Sequence, residues 1–260
     1  VDEPYRRALT GIYARLAASH VAITGEPPPR PPAVQDAPYD GPSQLRADLQ
    51  VLMDSLLRSH GDAFRRGPLP ELIRAVDCFG FHLATLDLRQ NSSVHEKVVA
   101  ELLAKAGACR DYAGLEEAAR CELLVRELAQ PRLLHSPYGE YGDLVRSELA
   151  VLHAAAAALR RYGPEAIRAY IVSNTTSVSD LLEVYVLLKE VGIFRPGDPP
   201  VSGVLAEPLF ETIADLQAAP ETMRRYLATP LIRPLLAEAG VQEVMIGYSD
   251  SNKDGSYFTS

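Results

Sequence analysis

The stretch that decides the fold is residues 169–192, which read AYIVSNTTSVSDLLEVYVLLKEVG. Its first five residues, Ala169–Ser173, are short in extent and mostly apolar, which predicts a buried β-strand. Apolar residues then recur at helical spacing over Leu181–Val191, and Ser179 and Asp180 before them favour the start of a helix. The stretch therefore predicts a strand followed by a helix, the repeating unit of a parallel α/β fold.

Three further segments have the composition of short buried strands, namely Phe79–Leu88, Val201–Ala206 and Glu243–Tyr248. Helical patterns lie between the four predicted strands, over Val94–Leu103, Leu144–Arg161 and Met223–Ala239 in addition to the helix above. Strands that are separated by helices pair in parallel. The sequence thus predicts a helix-rich α/β fold, a partial (β/α) barrel with additional α-helices, since four strands are half of an eight-stranded barrel.

The chain is expected to divide near residue 78. Residues 1–78 predict a helical segment with helices over Glu3–Ala22, around Leu45–Leu57 and from Leu69 to Asp77, and with a proline-rich surface loop at residues 26–42. Residues 79–260 predict the partial barrel region that bears the polar loops. Val1 is not an initiator methionine, so we expect the chain to begin inside a longer protein or after processing.

Composition excludes several classes of protein. The formal net charge of -8 argues against a binder of the nucleic-acid backbone, and no apolar run approaches the roughly 20 residues that cross a bilayer. The three cysteines, Cys78, Cys109 and Cys121, are odd in number and lack CxxC spacing, which indicates neither a disulfide framework nor a zinc site. We therefore expect a cytoplasmic protein without nucleic-acid or membrane partners.

Polar residues follow each predicted strand, and two of them are carboxylates that a metal could use. Glu211 and Asp250 follow different strands but should meet at the carboxyl edge of the sheet, where a hard divalent cation such as Mg²⁺ or Mn²⁺ takes carboxylate oxygens together with water and substrate oxygens. The alternative is local: Glu211 would stabilise the start of a helix near Thr212, and Asp250 a turn. Spacing alone leaves both interpretations open.

Two basic residues accompany these carboxylates. Arg89 ends an otherwise apolar strand and carries a planar fork that binds phosphate or carboxylate at two points, although an ion pair with Asp87 or another acid is the alternative. Lys253 lies between Asp250 and Asp254, where it would contact a substrate anion or remain a surface lysine. Neither GxGxxG nor GxxxxGK[ST] occurs, so side chains must hold any phosphate.

The segment from Gly247 to Gly255, GYSDSNKDG, closely resembles the G-Y-S-D-S-x-K-D active-site segment of phosphoenolpyruvate carboxylases. Other blocks that resemble the same family follow in its order: Glu3–Arg6, Phe79–Gln90 and Glu207–Thr212. The resemblance covers nearly the whole chain and is weakest over residues 106–140.

This resemblance implies roles for individual residues. Glu211 and Asp250 would be the ligands of Mg²⁺ or Mn²⁺. Arg89 would be a catalytic residue that contacts the substrate phosphate, and Lys253 a catalytic residue on the bicarbonate side. Ser249 and Ser251 would make further contacts to the substrate. The implied reaction joins phosphoenolpyruvate and bicarbonate to give oxaloacetate and phosphate, through carboxyphosphate and the enolate of pyruvate. Full-length members are homotetramers, so the resemblance implies that assembly for the complete protein.

The chain also departs from the family pattern. It lacks the T-A-H-P-T-E segment and the G-R-G-G loop, so we expect it to be inactive alone. Ser256 stands where the family usually has glycine, so strained backbone is expected there. Two other functions are the alternatives. One is another magnesium-dependent barrel lyase that handles pyruvate enolates, against which the segment from Ser249 to Asp254 argues. The other is a non-catalytic domain for binding or assembly, which the missing motifs permit.

Overall fold

The computed structural model describes residues 3–256 and divides into two compact units. The first consists of Val1–Thr85 with Arg160–Ala166, and the second of Leu86–Leu159 with Ile167–Ser260. No helix within the described residues is both long enough and apolar enough to cross a bilayer.

The first unit is helical. Its helices are α1 (Pro4–Thr24), α2 (Pro42–His60) and α3 (Pro68–Phe79), and each has a proline in its first turn, where the missing amide proton costs no intrahelical hydrogen bond. The three predicted helices are thus confirmed. Residues 25–41, which include most of the proline-rich stretch, form neither helix nor strand. Buried side chains from all three helices form the core of this unit, among them Ile12, Leu49 and Ile73.

The second unit contains both helices and strands. The elements from residue 86 onward are, in chain order, β1 (Leu86–Asn91), α4 (Ser92–Lys105), α5 (Glu117–Leu128), α6 (Asp143–Tyr162), β2 (Ile167–Ser173), α7 (Val178–Glu190), β3 (Phe194–Arg195), β4 (Val201–Ser202), β5 (Leu205–Phe210), α8 (Ile213–Ala228), α9 (Ile232–Ala239), β6 (Met245–Ile246) and α10 (Tyr248–Gly255). The last three residues of α6 belong to the first unit.

Four of these strands form one parallel sheet in the order β1-β2-β5-β6. The register pairs Arg89 with Ile171, Val172 with Pro208, and Phe210 with Ile246. This sheet, with helices between its strands, confirms the predicted helix-rich α/β fold and is the part of a (β/α) barrel that this chain supplies.

Helix α7 forms the centre of the core in the second unit. All of its residues are buried, and they pack among apolar side chains of α4, α5, α6 and β2. At its start, the Asp180 Oδ2 atom accepts hydrogen bonds from the backbone amides of Thr176 (2.8 Å) and Ser177 (3.0 Å). The helix therefore begins at Val178 with Ser177 as its N-cap, earlier than predicted, and Ser179 and Asp180 lie inside its first turn, where Asp180 forms a capping box with Ser177.

The first predicted strand, Phe79–Leu88, is placed too early. Helix α3 continues to Phe79, and a turn follows in which Gly80 and Leu83 have φ angles of 48° and 68°. Strand β1 begins only at Leu86. The apolar residues that suggested an extended strand belong to the end of a helix and a tight turn, which periodicity does not separate over so short a run.

Other predicted elements needed correction. The strand predicted at Val201–Ala206 is two strands, separated by Gly203 and Val204. The first, β4, pairs antiparallel with β3. The second, β5, is the one that joins the parallel sheet, and it begins four residues after the start of the predicted strand. In the segment Glu243–Tyr248 only Met245–Ile246 pairs. The helix predicted over Met223–Ala239 is two helices, α8 and α9, with Pro230 between them. Proline lacks an amide donor, and helices usually end before it.

Candidate functional site

The carboxyl edge of the parallel sheet brings the predicted site residues onto neighbouring strands. Arg89 lies in β1, Ser173 ends β2, Glu211 directly follows β5, and Asp250 lies in the first turn of α10, which follows β6. Parallel strands end on the same side of their sheet, so these residues share one edge.

The Glu211 carboxylate is held from two sides. It is 8% exposed, and its Oε2 atom accepts a hydrogen bond of 2.9 Å from the backbone amide of Asn174. Its Oε1 atom lies 3.4 Å from Nη2 of Arg89. Asn174 has a left-handed backbone (φ 55°), a conformation that asparagine adopts more readily than most residues. The β2–α7 connection therefore fixes the orientation of the Glu211 side chain.

Arg89 contacts two of its neighbours on this edge. Its Nε atom donates to Oγ of Ser173 at 2.8 Å, while Nη2 reaches Glu211. The alternative ion pair with an acid is therefore present, but its partner is Glu211 and not Asp87. The Arg89 side chain is 56% exposed, so part of its fork faces solvent beside the carboxylate.

The segment that carries Asp250 is a helix, although the sequence suggested a polar loop. Helix α10 spans Tyr248–Gly255, and the Ser251 amide donates to the Gly247 carbonyl at 2.9 Å in its first turn. The Asp250 side chain is 49% exposed, and its Oδ1 atom lies 3.5 Å from Nζ of Lys253, whose side chain is 78% exposed. Carboxylate and ammonium groups are thus both accessible on this helix.

The two serines of α10 are placed differently. Ser249 is exposed, whereas Ser251 is buried and its hydroxyl contacts the carbonyl of Tyr248 at 3.3 Å. Of these two serines, Ser249 is the one exposed to solvent.

Gly247 joins the two carboxylate-bearing segments. Its amide donates to the Phe210 carbonyl at 2.9 Å, next to Glu211. A Cβ atom at this position would lie 3.1 Å from both Cα and Cγ of Glu211. Contacts that short are rare between ordinary side chains, so glycine permits the end of β6 to lie against Glu211.

The donor set fits a hard divalent cation. Glu211 and Asp250 offer carboxylate oxygens from adjacent strand ends, and Mg²⁺ is commonly bound by one or two carboxylates with water and substrate oxygens completing the shell. Within residues 3–256, no group of three or more histidine, cysteine, aspartate or glutamate side chains is arranged to hold a metal ion.

Sequence reasoning gave no role to Ser173 or Asn174, which hold Arg89 and Glu211 in the structure. In the sequence, these two residues stand out only as polar residues at the end of a buried strand. Such a position suggests proximity to a site. The contact of the Asn174 backbone amide, however, depends on a dihedral angle that side-chain chemistry does not determine.

Comparisons with known proteins agree on one family. Residues 1–260 match the family model described as phosphoenolpyruvate carboxylase. Proteins of that name are similar to this chain: 54% identical over 261 residues in Aromatoleum aromaticum, 52% over 265 in Ralstonia nicotianae and 50% over 273 in Burkholderia mallei. All of this chain is covered, but only 28%, 27% and 28% of those relatives. The chain spans little more than a quarter of their length.

Proposed function

Because this chain belongs to the phosphoenolpyruvate carboxylase family, we propose that the complete protein joins phosphoenolpyruvate and bicarbonate to give oxaloacetate and phosphate. The observation that supports this most is the 3.4 Å approach of Arg89 Nη2 to Glu211 Oε1. A guanidinium group that can bind an anion thus stands beside a carboxylate that can bind a cation, as a metal-assisted reaction on a phosphorylated substrate requires.

Glu211 and Asp250 would hold Mg²⁺ or Mn²⁺ in this proposal. Glu211 is already oriented by Asn174 and Arg89, so it loses little freedom on binding a cation. Asp250 is half-exposed and brings its carboxylate from the adjacent strand end. The bound ion would supply Lewis acidity and a template for the substrate oxygens.

Arg89 would bind the phosphate of phosphoenolpyruvate. Ser173 fixes its Nε atom, so the exposed part of the planar fork keeps one orientation. Lys253 would act on the bicarbonate side with its exposed ammonium group, and Ser249 would offer its hydroxyl there. Ser251, which is buried against Tyr248, would contribute by holding the first turn of α10.

The remaining proposals concern the complete protein. We infer a homotetramer from the family resemblance, and a cytoplasmic location from three cysteines, none of which forms a disulfide. We also infer that the 260-residue chain alone does not carboxylate, because groups that stabilise a transition state jointly lose their effect together when several are removed.

The test compares the purified chain with the complete protein in an assay of bicarbonate-dependent oxaloacetate formation with Mn²⁺ present. We expect turnover only in the complete protein and loss of it on Asp250→Asn. Turnover by the chain alone that Asp250→Asn abolishes would contradict the claim of inactivity. Absence of oxaloacetate from an intact, folded complete protein would contradict the proposed reaction.

A second test addresses Arg89 in the complete protein. Arg89→Lys keeps the charge but loses two-point binding, so we expect KM for phosphoenolpyruvate to rise about tenfold, the effect of losing one charge-assisted hydrogen bond. Arg195→Lys, in the hairpin strand β3, is the matched control and should leave KM unchanged. Equal kinetics for Arg89→Lys and the wild-type protein would show that Arg89 only pairs with Glu211.

A further inference from the structure

Helix α10 is attached at both ends to the segment that contains Glu211. At its start, the Gly247 amide donates to the Phe210 carbonyl at 2.9 Å. Near its end, Oδ2 of Asp254 accepts a hydrogen bond of 2.9 Å from the backbone amide of Ile213. Phe210 and Ile213 lie on either side of Glu211 in the sequence, so the two attachments flank the carboxylate.

The second attachment is favourable for two reasons. Ile213 is the first residue of α8, and amides in the first turn of a helix have no intrahelical acceptor. A carboxylate at that end also interacts well with the helix dipole. Because charged acceptors form stronger hydrogen bonds than neutral ones, this bond can hold two elements that are distant in sequence.

The start of α8 also has a capping box of its own. Asp215, within the helix, accepts from the Thr212 amide at 3.0 Å, and Thr212 Oγ1 accepts in return from the Asp215 amide at 3.1 Å. The bond from Asp254 satisfies a further amide, that of Ile213, and at the same time links α10 to α8.

The position of Asp250 depends on where α10 is held. The side chains of Asp250 and Lys253 are 49% and 78% exposed, and the Nζ–Oδ1 distance of 3.5 Å between them is long for a hydrogen bond. Because both side chains are so exposed, the contact with Lys253 does little to fix the position of the Asp250 carboxylate. The two attachments of the helix therefore contribute to setting its distance from Glu211.

We infer that Asp254 is a positioning residue, whose carboxylate holds α10 so that Asp250 and Glu211 can bind one cation. This inference rests on the proposed metal role of those two carboxylates. Asp254 itself binds no metal and no substrate in this account. It acts through the Ile213 amide and the orientation of α10.

The test uses the 260-residue chain and two variants of Asp254. Asp254→Asn removes the charge but keeps an oxygen acceptor, while Asp254→Ala removes both. Asp143→Ala is the control, since Asp143 is an exposed acid in the first turn of another helix, α6. Electron paramagnetic resonance titration gives the Mn²⁺ affinity, and amide hydrogen exchange by NMR reports the bond at Ile213.

We expect Asp254→Ala to weaken Mn²⁺ binding about tenfold, the effect of losing one hydrogen bond to a charged group, and to accelerate exchange at Ile213. Asp254→Asn should stay within about threefold of the wild-type affinity and keep most of the protection, because a neutral acceptor retains part of the bond. Asp143→Ala should change neither measurement.

Two results would overturn the inference. Wild-type affinity in Asp254→Ala, with protection at Ile213 lost, would show that the bond exists but does not position Asp250. Equal weakening in Asp254→Asn and Asp254→Ala would assign the effect to charge alone. Failure of the wild-type chain to bind Mn²⁺ is a different outcome, which would refute the proposed metal site and the inference together.

Discussion

Helices α7 and α10 occupy equivalent places in the fold but differ in their surroundings. Each follows a strand of the same parallel sheet, and each has an aspartate in its first turn. All residues of α7 are buried, whereas in α10 only Ser251 is. The Asp180 carboxylate of α7 accepts hydrogen bonds from backbone amides, while the Asp250 carboxylate of α10 is half-exposed. The same sequence feature therefore stabilises the fold in one place and is available for chemistry in the other.

Burial also affects the protonation of the acids in α7. Burial raises the pKa of Asp180, and burial raises the pKa of Glu183 further along α7 well above its usual value. Tyr112 donates to Glu183 at 2.7 Å, which partly offsets this increase. Buried acids of this kind contribute to the hydrogen bonding of the core. The carboxylate of Asp250, in contrast, is half-exposed and open to a ligand from solvent.

The largest expected effect is a loss of stability when a buried side chain of α7 is truncated. Leu182→Ala removes a fully buried side chain and should lower the free energy of unfolding by roughly 2–5 kcal/mol. Ser249→Ala in α10 is the matched exposed change and should stay within about 0.5 kcal/mol. Urea unfolding followed by circular dichroism measures both. Equal losses for the two variants would contradict the contrast between the helices.

A pH-dependent effect should come from His95, which lies in α4 against β2 with its Nε2 atom 3.0 Å from the Tyr170 hydroxyl. Burial lowers the pKa of His95 from 6.5 to about 4. Below pH 6.5 the unfolded chain takes up a proton that the folded chain accepts only near pH 4, so stability is lost as the pH falls through that window. The loss amounts to roughly 3 kcal/mol, and it should disappear in His95→Gln.

This pH effect is measured by urea unfolding of the wild-type chain and the variant at pH 7 and pH 5. The loss in stability between the two pH values should be smaller in His95→Gln. If the two proteins lose equal stability, His95 is not the group that titrates. Ser249→Ala, the variant in α10, should show the same pH dependence as the wild-type chain.

The smallest expected effect concerns the end of α10. Ser256 has φ 64° and ψ 167°, a region that glycine occupies at little cost and other residues rarely adopt. Ser256→Gly should therefore stabilise the last turn of α10 by about 1 kcal/mol, whereas Ser249→Gly within the helix should weaken it. Hydrogen exchange of the α10 amides measures both changes. If the amides of α10 exchange faster in Ser256→Gly than in the wild-type chain, the assignment of strain to Ser256 is wrong.

The sequence predicted the strand and the helix of the β2–α7 unit correctly. The β2–α7 unit has a short apolar strand, a capping aspartate and a long apolar helix, and all three signals agree. The segment Phe79–Leu88 failed because a helix end and a turn share the composition of a strand. The β3–β4 hairpin was missed, since two-residue strands have no periodicity.

The candidate site was predictable in its residue types but not in its contacts. Polar residues at the ends of predicted parallel strands suggested Glu211, Asp250 and Arg89 as candidates, because such strands end on one edge of the sheet. The partner of Arg89 was not predictable, since Glu211 lies 122 residues away in sequence. That α10 is a helix was also missed: its glycine and polar residues favour turns locally. In the folded chain, hydrogen bonds of Gly247 and Asp254 to residues on either side of Glu211 stabilise this helix.

The most direct test of the account is a Mn²⁺ titration of the 260-residue chain followed by electron paramagnetic resonance. Four proteins are compared: wild type, Glu211→Gln, Asp250→Asn and the double variant, with Asp143→Asn as a control for loss of charge. We predict one Mn²⁺ site that each single variant weakens at least about tenfold and that the double variant weakens by less than the product of the two, because both carboxylates bind the same ion. Wild-type affinity in either single variant, or losses that simply multiply in the double variant, would contradict the account.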